Sequence, residues 1–413
     1  MPATRTSRRE KSRGAARIAR ALRRRPALAC LARLLAPRGA KAWIVGGAIR
    51  DRLLGRREGD LDVVVAADPE GPARGLEALG FGRAVAISDR APRVFRVAGR
   101  GDLDLAELER GSIEGDLARR DFTANAIALD LADGRWIDPY GGVEDVRRRR
   151  LRLVSAANLR EDPLRGFRAA RLYATHSLRP DPATLREVRA IAPRVAEAAA
   201  ERSSAELAKL LEADRAAPAL AWAARAKVLA PALGLSPPPR GWGRALALSR
   251  RLERPLRGTP PESRRRVRLA AIAIGAGLDG PGAARWLASR RFGRSEAASV
   301  RRLVELAAEA PGSGSKERWR WICEAGVLAR EAALLVGVAE PRSRPGAAAL
   351  RRLARKPRRG PRVGGRDVMA WLRIPEGPRV GRLLRELEVE IRRGAVHSRS
   401  EARRWLEKAV RNS

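Results

Sequence analysis

The chain holds two cysteines and two histidines in 413 residues. Cys30 and Cys323 stand far apart, which excludes a disulfide framework and zinc-type Cys/His spacing. With one methionine after the start and so few imidazoles, any metal chemistry falls to carboxylates. No apolar run reaches the roughly 18 residues of a membrane-spanning helix. The basic N-terminus lacks a convincing signal-peptide core and cleavage site, so a cytoplasmic chain with no membrane partner is the expectation. Lysine is scarce too: seven of the 86 basic residues. Part of the arginine excess therefore reflects composition. Against 47 acidic residues, however, the balance is +39. A charge of that size points to a polyanionic partner, nucleic acid first.

The length leaves room for two to four domains. Residues 1–25 read as a basic, mobile arm, and residues 26–36 as a short amphipathic helix with Pro26 in its first turn. From 41 to 131, short β-branched and alternating runs (WIVGG, LDVVVAA, AVAI, RVFRVA, LDLAEL, AIALDL) predict strands among helices. From Asp162 onward Ala, Leu, Arg and Glu dominate and strand signals stop. Loops are expected at 236–241, 310–315 and 340–346, and a basic linker at 355–365. The fold class expected is α+β: a head with a small mixed sheet, followed by an elongated all-helical part.

Residues 43–65, WIVGGAIRDRLLGRREGDLDVVV, are the most informative segment. Strand side chains alternate, so Asp60 and Asp62 project from one face. Two adjacent carboxylates repel unless a cation sits between them, and Mg²⁺ favours such oxygen ligands together with substrate phosphates. Gly46 and Gly47 allow close approach of backbone N–H groups to a phosphate. Together with Arg50 the pattern suggests metal-assisted phosphoryl transfer.

The segment resembles the head of the class II tRNA nucleotidyltransferase and bacterial poly(A) polymerase family, whose pattern is GGxxRDxLLG followed by DxD on a polymerase β-like fold. The resemblance implies that Asp60 and Asp62 hold two Mg²⁺ ions and that Gly46, Gly47 and Arg50 cradle phosphates. RRDFTANAIALDL, from Arg119, is similar to the second motif, in which Arg120 and Asp121 would recognise the ribose; the local alternative is a helix-capping salt bridge. DPYGG, from Asp138, resembles a turn joining head to neck, and is read as structural. EDPLRGFRAAR, from Glu161, resembles the fourth motif, which implies that Asp162 and Arg165 pair with the incoming C or A. Asp162 before Pro163 is equally a good helix N-cap. Arg168 and Arg171 continue the spacing and would support the template or meet phosphates. A third carboxylate is expected on a neighbouring strand: Asp104, with Asp102 as the alternative. Residues 364–408 resemble the family's tail.

By this resemblance residues 1–40 are arm and helix, 41–150 the catalytic head, 151–205 the neck, 206–354 the body, and 355–413 an RNA-binding tail. Two departures matter. Only 14 residues, 105–118, separate Asp104 from Arg119, which resembles the shortened loop of CC-adding members and puts A addition in doubt. His176 and His397 are isolated, so no phosphohydrolase signature is present. The expected function is addition of C to the tRNA 3′ end from CTP, as CC, or as CCA if ATP is also used. The alternatives are a poly(A) polymerase and a catalytically silent RNA-binding protein.

Overall fold

The computed structural model describes residues 5–57, 59–88, 90–99, 102–236, 242–312, 314–339, 344–357 and 360–411. The chain divides into two compact units: residues 1–198 with 225–231, and residues 199–224 with 232–413.

The first unit carries a sheet of strands β1 (Ala42–Val45), β2 (Leu61–Val65), β3 (Gly82–Ser88), β4 (Val94–Gly99), β5 (Leu103–Glu107), β6 (Ala128–Asp130) and β7 (Trp136–Ile137). Their spatial order is β3-β4-β5-β2-β1-β6-β7. Only β2 and β5 pair in parallel; the other neighbours are antiparallel. All six strand expectations fall on this sheet. β7 and a two-stranded pair, β8 (Arg150–Leu151) with β9 (Arg179–Pro180), were not expected.

Alternation explains how the sheet positions chemistry. Ile44, Leu61, Val63, Val65, Leu103 and Leu105 are essentially fully buried on one face. On the opposite face Trp43, Val45 and Val64 join an apolar cluster with Ile113, Leu117 and Ala128. Asp62 shares that second face by its period of two and is the one residue of β2 that is not buried.

The helices of this unit are α1 (Arg5–Arg23), α2 (Pro26–Leu35), α3 (Gly47–Leu53), α4 (Glu70–Ala78), α5 (Ile113–Ala118), α6 (Gly142–Arg147), α7 (Ala156–Glu161), α8 (Leu164–His176) and α9 (Pro182–Ile191). Residues 5–23, read from the sequence as a basic, mobile arm, are helical, with Ala19 and Leu22 buried. Arg23 at its end donates from Nε to the Leu131 carbonyl at 2.8 Å. Apolar residues at i and i+3 drew this basic segment onto the head in spite of its charge.

Among the described residues of the second unit every regular element is a helix. Arg268 is fully buried there, and its guanidinium reaches the Leu211, Ala213 and Asp214 carbonyls at the end of helix Ala200–Glu212. Burial lowers its pKa to about 10. The last three helices, Gly365–Leu372, Pro378–Arg393 and Arg399–Arg411, share an apolar core of Val368, Val380, Leu383, Leu387, Ile391 and Leu406. Most of the expected loops at 236–241 and 340–346 lies outside the described residues. Among the described residues no helix is long and apolar enough to cross a membrane.

Candidate active site

Register sets the geometry of the site. Asp62 on β2 stands opposite Asp104 on β5, and Asp104 stands opposite Arg96 on β4. Three neighbouring strands thus present Asp62, Asp104 and Arg96 as one row. Asp60, just before β2, lies at the mouth of the row and is half exposed. Burial pushes the Asp62 carboxyl above its usual range; Arg120 opposes this, and the charges of Asp104 and Asp60 add to it. Asp102 does not join the row. Its carboxylate accepts the Gly99 N–H at 3.2 Å and closes the β4–β5 turn.

Gly46 forms the wall beside Asp62. Its φ is +69°, and a Cβ there would lie 2.9 Å from an Arg120 guanidinium nitrogen and 3.7 Å from Asp62 Oδ2. Glycine is needed both for that backbone conformation and for the close approach of Arg120. Arg50, expected to cradle phosphate, stands on α3. It is buried and donates to Asn125 Oδ1 at 2.5 Å and to Asp51 at 3.0 Å. Its guanidinium ties α3 to the segment after Asp121.

Asp116 organises the second motif. It is fully buried at the end of α5 and receives Arg119 at 2.8 Å on one oxygen and Arg120 at 3.0 Å on the other. This carboxylate was not singled out from the sequence. Its signal was there: an aspartate three and four residues before two arginines, a spacing that brings side chains together on a helix.

Asp121 is also buried. It accepts the Phe122 N–H at 2.8 Å, the Asn125 amide at 2.9 Å and Arg168 at 3.1 Å. Burial alone would raise its pKa, but Arg168, the Asn125 amide and the Phe122 N–H hold it below the ordinary carboxylate range. Asp121 and Arg168, both expected at the nucleotide, are therefore joined to each other.

The fourth motif sits at the α7–α8 junction. Asp162 ends α7, Pro163 precedes α8, and no side-chain cap bond starts α8. The N-cap expectation for Asp162 is corrected: the break between two helices places Asp162 one position too early. Arg165 donates from Nη1 to the Arg119 carbonyl at 2.8 Å and the Asn158 carbonyl at 3.2 Å. Its Nε has no hydrogen-bond partner and lies 3.9 Å from Asp162 Oδ2. Asn158, another residue not singled out, donates to the Ala118 and Arg120 carbonyls at 2.8 and 2.7 Å. The template motif and the arginine motif are thus fastened together by main-chain acceptors.

Asp138 of DPYGG accepts the Gly142 and Val143 N–H groups at 2.6 and 3.0 Å, at the start of α6. A Cβ on Gly142 would stand 2.0 Å from the Thr123 carbonyl, so only glycine lets α6 pack there. His176, which looked isolated, is buried with Nε2 3.0 Å from Asp51.

A family model described as the Poly A polymerase head domain matches residues 42–79 and 89–152. The chain is 32% identical over 407 residues to a CC-adding tRNA nucleotidyltransferase of Geobacter sulfurreducens, covering 90% of this chain and 92% of that protein. The chain belongs to the class II tRNA nucleotidyltransferase family. A CC-adding tRNA nucleotidyltransferase of Synechocystis is 43% identical over 176 residues, 41% of this chain and 42% of that protein. That match therefore spans less than half of the Synechocystis relative's length. The fold is that of the Bacillus stearothermophilus CCA-adding enzyme solved in complex with CTP, at a TM-score of 0.67 and 28% identity, over 94% of this chain and 98% of that one. The matched head domain contains the strands that carry Asp62 and Asp104.

Proposed function

We propose that this nucleotidyltransferase adds two cytidines, one after the other, to the 3′ end of tRNA from CTP and without a nucleic-acid template. The observation that carries the reading is the row of Asp62 and Asp104 on adjoining strands, with Asp60 at its mouth and Arg120 reaching over Gly46. The likeness to a CC-adding relative over 90% of this chain supports the substrate class.

The donor set fits divalent metal. It is made of oxygens alone, and a cation would relieve both the burial that chiefly raises the Asp62 carboxyl and the smaller repulsion from Asp104 and Asp60. Asp60 and Asp62 would hold Mg²⁺, two ions in this reading. When bound, such ions polarise phosphoryl oxygens and lower the pKa of an attacking hydroxyl.

The protein's own groups do the rest. Gly46 lets the Arg120 guanidinium, which Asp116 aims, come in beside Asp62, where it would meet a phosphate. Asp162 accepts the exocyclic amine of cytosine, and Arg165 donates to the neighbouring ring acceptor. A base that offers a carbonyl where cytosine has an amine meets the Asp162 carboxylate and is refused. Asp121 and Arg168 hold the α8 face against the second motif. The basic helical unit meets tRNA phosphates without reading sequence.

Addition of CC without A is supported by what occupies residues 105–118. The segment finishes β5, turns, and enters α5, whose Ser112 cap accepts the Gly115 N–H at 3.1 Å. Ile113 and Leu117 belong to the head's apolar cluster, with Leu108 against it. A segment built into the core is poorly suited to re-aim the pocket from C to A. The test is to offer tRNA lacking its 3′ CCA with each nucleotide singly. Incorporation from CTP alone supports the reading, and incorporation from ATP alone contradicts it.

A further inference from the structure

Arg96 stands inside the acidic row. It binds Asp104 with both arms of its fork, Nε to Oδ1 at 2.7 Å and Nη2 to Oδ2 at 2.6 Å. The same Nη2 lies 3.5 Å from Asp60 Oδ2. A bidentate guanidinium–carboxylate pair uses both carboxylate oxygens in a fixed plane. Asp104 therefore faces its own strand neighbour with both oxygens, although its register places it beside Asp62. Among the described residues no three Asp, Glu, His or Cys side chains come together as a metal-ligand set. Asp104, which by register stands beside Asp62, is turned to Arg96 on β4.

A cross-strand ion pair that only stabilised the sheet would need one partner. Arg96 touches two, and both belong to the row proposed to meet metal. Its side chain is 38% exposed, so room exists for it to leave.

We propose that Arg96 is an internal competitor for the metal site, holding Asp104 back from a divalent cation bound by Asp60 and Asp62 until that fork is released. The inference rests on the metal site proposed above and deepens it. Competition is reciprocal: if metal loosens the Arg96–Asp104 pair, the pair weakens metal by the same factor. Arg96 thus acts as a positioning residue, and Asp104 joins the metal only in the loaded state.

The test is Mn²⁺ binding to the full-length, nucleotide-free protein, followed by electron paramagnetic resonance. Arg96→Met should bind Mn²⁺ about tenfold more tightly than the unmodified protein, within the range of ordinary coupling between sites. The gain should vanish when Asp104→Asn is added, because the released ligand is gone. A gain that persists in the double variant would be general electrostatics and would overturn the proposal, as would no gain at all. Arg96→Lys keeps the charge and loses the two-armed geometry, and should give a smaller gain; it serves if the Met variant does not fold. Asp62→Asn separates the two readings. If it leaves Mn²⁺ binding intact, the metal site itself is misplaced; if it abolishes binding while Arg96→Met gives no gain, only the competitor role fails.

Discussion

Arg165 is the residue on which the proposed reading of the base rests. Nη1 is spent on two main-chain carbonyls, while Nε is unspent near Asp162. Arg165→Ala should therefore relax nucleotide choice more than it slows CTP turnover. Losing a buried pairing group costs discrimination of roughly 10- to 100-fold. Competition kinetics of CTP against UTP and GTP would measure it, and unchanged selectivity would remove Arg165 from the template. His176 makes a second prediction at this scale. Burial beside Arg50 and Arg56 lowers its pKa from 6.5 to about 4, against the pull of Asp51. The unfolded chain takes up this proton first as pH falls, so stability is full above about 6.5 and declines toward 4. The whole shift is worth roughly 3 kcal/mol. Urea unfolding across that window should show the decline, and His176→Phe should flatten it. Asp60, Asp62, Gly46 and the Arg120–Asp121 pair stood out in the sequence because phosphoryl-transfer motifs are runs of adjacent residues of fixed type. Asn125, Asn158 and His176 did not, because their partners lie 75, 38 and 125 positions away in the chain.

At the scale of elements, α5 carries the specificity argument. Its core side chains and buried Asp116 make a fixed platform where a long loop would otherwise stand. Asp116→Ala would leave two arginines without their shared acceptor. Breaking a buried pair on one side costs roughly 3 kcal/mol. Denaturant midpoints should fall accordingly, and an unchanged midpoint would mean that Asp116 aims nothing. The six longer strands were readable because period-two alternation needs several residues to declare itself. β7, β8 and β9 have two residues each, too few for any period. α1 was missed because arginine dominates its composition, while the few apolar residues that anchor it are spaced three apart. The α7–α8 break was missed because Asp-Pro reads equally as a cap and as a junction.

For the molecule as a whole, charge is the readable property. A net +39 persists after many arginines pair internally, as Arg265 does with Glu296 and Arg266 with Glu331. Affinity for tRNA should drop by roughly 10- to 1,000-fold between about 50 and 200 mM salt, as counterions compete for phosphate contacts. Filter binding at a series of salt concentrations measures the slope, and a flat response would make the charge a matter of composition alone. The family, its α+β head and its helical remainder were legible from motifs at both ends of the chain. The helical middle carried no motif, because a phosphate-binding surface needs only positive charge at intervals that any helix can supply. The most direct measurement of the central claim is product length. Given tRNA without its 3′ CCA, and CTP and ATP together, the unmodified protein should extend every chain by two cytidines and stop. A third residue, an adenosine added to the CC end, would contradict the account.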